Sequence, residues 1–159
     1  MVEAATKGYL DSDWDENGVS ADQRSYPADG KELAHGGVGQ CVLRMKPMLA
    51  REGVRLDEIE DNWHAEKYHV LINRESYLIY DGRTADAVRT SLKRLLEVVN
   101  GLLEETASKE RLFAVYRGTE GRVVLLTEEM HDFVESLGDV LSRGWMPFSA
   151  EEFELARDL

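Results

Sequence analysis

In "DWDENG", Asp13, Asp15 and Asn17 alternate and Gly18 follows. An EF-hand calcium loop opens this way, with oxygen ligands at alternate positions and a glycine at the tight turn. In a loop starting at Asp13, the twelfth position, where a bidentate glutamate closes the site, is Arg24. Gly8 also interrupts the helix that should precede the loop. What remains is the expectation of a looser calcium site from Asp11, Asp13, Asp15 and Asn17, set against an Asx turn in a solvated acidic loop. Further on, "WHAEKYH" holds His64, Glu66 and His69. His-x-Glu opens the zinc deaminase signature, but that chemistry also needs Pro-Cys-x-x-Cys, and this chain has one cysteine.

A second constellation concerns that cysteine. A thiol nucleophile needs an imidazole to take its proton and a carboxylate to hold the imidazole. Cys41 follows the glycine-rich "GGVGQC", His69 opens one strand of an expected hairpin, and Asp81 ends the next. In this chain order the segment resembles papain-like and transglutaminase-like hydrolases. The resemblance implies a cysteine hydrolase with Cys41 as nucleophile, His69 as base and Asp81 as the group that orients it. The other reading of Cys41 is a small buried apolar residue. The glycine runs carry no phosphate-binding spacing: "HGGVGQ" lacks both the P-loop ending and G-x-G-x-x-G.

These residues need elements to position them. Residues 1–37 are polar, with turn formers through "SYPADGKELAHGG", and read as an arm or long loop packed by Tyr9, Trp14 and Tyr26. "GQCVLRMKPMLAREGV" reads as a helix through Cys41, or as a strand through Cys41 with Pro47 opening a short helix. Proline is disfavoured in a helix interior and favoured at its first position, so the strand-then-helix reading is preferred. Leu56, Ile59 and Trp63 have helical spacing. "YHVLI" and "SYLIYD" predict a hairpin over 68–81. Thr84 reads as the N-cap of a long helix whose apolar face is Val88, Leu92, Leu95, Leu96, Val99 and Leu103. "RLFAVY" and "RVVLLT" predict a second hairpin over 111–127. Thr127 caps the next helix, with Met130, Phe133, Val134 and Leu137 as its apolar stripe. Ser149 and Glu152 form a capping box for a last helix. Hairpins separated by helices give an α+β fold, two antiparallel hairpins in one mixed or antiparallel sheet packed by helices: a polar arm over 1–37 and one α+β domain over 38–159.

Charge decides among function classes. The chain of 159 residues carries a net charge of −12, distributed unevenly. Residues 1–35 are net −5, residues 36–127 are neutral, and residues 128–159 are net −7. Such a field repels nucleic acid and anionic membranes and attracts basic partners. No apolar run approaches the ~20 residues needed to span a bilayer. "MVEAATKGYL" has neither the basic nor the apolar part of a signal peptide, and a single cysteine fits a reducing compartment, so a soluble cytoplasmic protein is expected. The preferred reading is an inhibitor or immunity-type protein that neutralises a basic partner such as a toxin. Its contact residues would be Glu128, Glu129, Asp132, Glu135 and Asp139, with Glu128, Asp132 and Glu135 on one helical face. The element order from 68 to 137 coarsely resembles type III secretion chaperones, which implies a dedicated chaperone of a secreted protein as an alternative. Apart from calcium, no cofactor is expected.

Overall fold

The computed structural model describes residues 15–117, 120–137 and 147–154. Its architecture is α+β, with two three-stranded antiparallel sheets and helices packed against both. The first sheet contains β1 (Ser25–Pro27), with β5 (Glu110–Arg117) and β6 (Glu120–Thr127) in the order β1-β6-β5. The second holds β2 (Ile59–His64), β3 (Lys67–Ile72) and β4 (Glu75–Tyr80) in sequence order. Both expected hairpins are present, β3–β4 and β5–β6, but they lie in separate sheets where one sheet was expected, because β2 and β1 each add a strand to a different hairpin.

Four local readings are corrected. Cys41 lies on a helix, α1 (Val38–Arg44), and Pro47 sits at the start of a second helix, α2 (Lys46–Arg51). The chain thus accommodates the proline by ending one helix at Met45 and beginning another. Residues 59–64 form strand β2 where a helix was expected, because pairing with β3 overrides the local spacing. The long helix, α3 (Ala87–Glu105), is capped by Asp86, whose carboxylate accepts from the Arg89 N–H at 3.0 Å; Thr84 lies outside it. The last helix before the C-terminal segment is α4 (Glu128–Ser136), capped by Thr127 as expected. Phe133, assigned to its buried stripe, is instead 38% exposed.

The described part of residues 1–37 adds more than a loop. β1 pairs with β6, and Tyr26, Ala28 and Leu33 enter the main core. Tyr9 and Trp14 lie outside the described residues. Arg24 makes a two-pronged ion pair with buried Glu110, at 2.8 and 2.9 Å, and also donates to the Leu125 carbonyl. Arg122 donates to Ser25 Oγ and the Gly18 carbonyl. These contacts fasten residues 18–25 to the β5–β6 hairpin.

The main core joins both sheets to α1, α2 and α3, with Leu95, Leu96, Val99 and Leu103 of α3 buried in it. Between β2 and α1 lies a polar joint. Asp61 accepts from the Gly39 N–H at 2.8 Å and from the Tyr68 hydroxyl, while Tyr68 accepts from the Val38 N–H at 3.0 Å. The sheet thereby satisfies amides at the start of α1, whose own N-cap residue, Gly37, has no side chain. Trp63 stacks on Tyr68 with centroids 5.0 Å apart, and Tyr80 meets both rings edge-on. Among the described residues no helix is long and apolar enough to cross a membrane.

Candidate functional site

A smaller apolar cluster occupies the other side of the β5–β6 hairpin: Val115, Val124, Leu126, Met130 and Val134, flanked by Phe113. It fixes how α4 lies. Met130 and Val134 are one turn apart and point into this cluster, so the opposite face of the helix turns to solvent. That face carries Glu128, Glu129, Asp132, Phe133 and Glu135, all exposed. Thr127 Oγ1 accepts from the Met130 N–H at 3.2 Å, and the two glutamates of the first turn complement the positive end of the helix dipole.

His131 sits at the border between the two faces. Its ring stacks on Phe113 of β5, with centroids 4.6 Å apart and planes 18° from parallel. Nδ1 lies 3.6 Å from an Asp132 oxygen and Nε2 3.5 Å from a Glu135 oxygen. Both separations exceed a hydrogen bond, and among the described residues the buried Nε2 has no hydrogen-bond partner. Among the described residues, His131, Asp132 and Glu135 are the one group of three whose donor atoms stand close enough to hold a metal, all within 4.8 Å. Beside them a groove of about 940 Å³ runs between β5 and α4, past Lys109, Arg111, Phe113, Glu128 and His131. Arg111 is turned to the Ser108 and Glu110 carbonyls at 2.8 and 2.6 Å.

The structure thus gathers Glu128, Glu129, Asp132 and Glu135 on one helix; Asp139 lies outside the described residues. It does not gather Cys41, His69 and Asp81. Cys41 is buried in the main core, its thiol directed at the Pro27 carbonyl 3.7 Å away. Burial pushes that thiol up to about 12, the reverse of the lowered value a thiolate nucleophile needs. On β3 the alternation Tyr68, Val70, Ile72 faces this core, which turns His69 to the other side of the sheet. There its Nδ1 lies 3.3 Å from Ser76 Oγ. Asp81 accepts from the Arg83 N–H at 2.9 Å in the turn after β4.

Of the acidic loop, Asp11 and Asp13 lie outside the described residues. Asp15 Oδ1 accepts from the Asn17 and Val19 N–H groups at 2.8 and 3.0 Å, which is an Asx turn. Sequence reasoning passed over His131, although His131 and Glu135 stand four apart in "EEMHDFVE" and share a helical face. Its stacking on Phe113 has no signal in the sequence, because the two belong to different elements. Comparison with protein-family models, curated proteins and solved structures finds no match to this chain.

Proposed function

We propose that this chain is a cytoplasmic protein that binds a basic protein through the outer face of α4, in the manner of an inhibitor or immunity protein covering the active surface of a toxin. The observation that carries this reading is the composition of that face. Four exposed carboxylates share this face with exposed Phe133, which lies at its edge beside Glu129, and α4 contains no lysine or arginine. Carboxylates steer a basic partner in and suppress acidic ones, while an exposed apolar ring beside them offers the partner a contact that excludes water. The net charge of −12 acts in the same direction at longer range.

The test is capture from the source lysate at low and at high salt, with the wild-type chain beside Glu128→Lys/Asp132→Lys/Glu135→Lys. A basic protein held by the wild type, weakened by salt and lost from the triple variant supports the reading. Retention of the same protein by both chains removes α4 as the contact surface.

A further inference from the structure

We propose that His131, Glu135 and Asp132 form a binding site for a divalent ion of the zinc class on α4. Asp132 and Glu135 also belong to the face proposed to meet a partner, but ion binding is read on the isolated chain, so the two proposals fail separately.

The distances point to it. His131 Nε2 and Glu135 Oε1 are 3.5 Å apart, too far for a hydrogen bond. Two donors at zinc distances of about 2.0–2.1 Å (nitrogen) and 2.0–2.2 Å (oxygen) span a tetrahedral edge of roughly 3.3–3.5 Å. The gap between these two side chains has the dimension of that edge. Four-residue spacing on a helix sets it, so the backbone of α4 holds the two donors in place. Asp132 is the third member of a set whose donor atoms all lie within 4.8 Å; its oxygen stands 3.6 Å from Nδ1, so its exposed carboxylate must turn toward Nε2 to share the ion. Three protein ligands with a water in the fourth position is an ordinary zinc arrangement.

Among the described residues, His131 Nε2 is buried and makes no hydrogen bond, its nearest acceptor being the Glu135 oxygen at 3.5 Å, and its ring is held by stacking on Phe113. Buried polar atoms nearly always have a partner, so an orphan of this kind calls for an explanation, and an ion is one. A clamped ring also gives the site a preorganised nitrogen. One imidazole with two carboxylates suits zinc and its neighbours, whereas calcium takes six to eight oxygens.

The experiment is calorimetric titration of zinc chloride into the full chain in a non-chelating buffer, with calcium chloride as comparison. Imidazole nitrogen shifts are followed by NMR alongside. The expected result is one zinc per chain, with the shift confined to His131 among the four histidines and no comparable heat from calcium. Loss of an outer-shell partner alone weakens metal sites ~10–100-fold, so Glu135→Gln should cost at least about tenfold. Glu135 is exposed, and this variant keeps the fold, which circular dichroism verifies. His131→Gln should remove the binding too. Absence of zinc binding, equal affinity in wild type and Glu135→Gln, or shifts at His64 and His69 in place of His131 would each overturn the proposal.

Discussion

At Cys41, burial decides the chemistry. A thiolate in the main core would lose its hydration, and this outweighs the opposing charge of Arg44, so the proton is retained up to about 12. Iodoacetamide at pH 8 should therefore modify Cys41 only as fast as the chain unfolds, and rapid labelling of folded protein would contradict this. The same shift makes stability depend on alkaline pH. The folded thiol keeps its proton while the unfolded one loses it above its ordinary value of 9.0, so the contribution is intact below pH 9 and falls as pH rises toward 12. Tyr26, also raised to about 12 by burial, adds to the fall above pH 10. Urea midpoints should decline across this window, and Cys41→Ala should flatten the part that begins near pH 9. The Arg24–Glu110 pair is a second residue-scale feature. Glu110→Gln leaves a largely buried guanidinium without its counter-charge and should cost about 3 kcal/mol by urea denaturation.

At the scale of elements, the joint between β2 and α1 shows how a sheet can do the work of a cap. A Cβ at Gly39 would come within 2.8–2.9 Å of the Asp61 carboxylate, which is itself hydrogen-bonded to Tyr68. Gly39→Ala should therefore displace Asp61 and destabilise the protein by more than the same change at Gly101, which has nothing within 4 Å. The comparison of the two melting temperatures tests this. Strand β2 also explains a misreading. It is joined to β3 by Ala65 and Glu66, both with positive φ (48° and 68°), as are Asn73 and Arg74 (49° and 73°) in the next turn. Turns of this kind favour asparagine and glycine. Ala65–Glu66 carries no such signal, so "WHAEK" does not read as a turn, and Leu56, Ile59 and Trp63 read as a helix. The strand exists because β3 supplies its hydrogen bonds. Helix α3, by contrast, is legible from its own apolar period. Leu95→Ala in its fully buried stripe should cost ~2–5 kcal/mol.

For the whole molecule, the excess of acid has two consequences. A net charge of −12 repels itself in the compact state, and salt screens that repulsion over about 10 Å at 0.1 M. Raising sodium chloride from ~10 to ~150 mM should therefore raise the melting temperature, while leaving variants with a lower net charge less affected. If salt lowers it, ion pairs such as Arg24–Glu110 outweigh the long-range repulsion. The two sheets share one core through α3, and α4 lies on the far side of the β5–β6 hairpin over its own small cluster. The carboxylate face is therefore carried on the β5–β6 hairpin, apart from the main core.

By itself, the amino-acid order determined the α+β class, both hairpins, helices α3 and α4 and the acidic character of α4. Each of these follows from a period of two or three and a half residues, or from a cap, within a few neighbouring positions. Tertiary structure decided the rest. It made a strand of 59–64, kept Cys41 helical across Pro47, and placed His69 and Cys41 on opposite sides of a sheet. It also brought Phe113 of β5 under His131 of α4, which no local pattern records. The physical reason is common to all four. Strand pairing, burial and ring stacking are satisfied by residues far apart in the chain, so their outcome is written only where the elements meet.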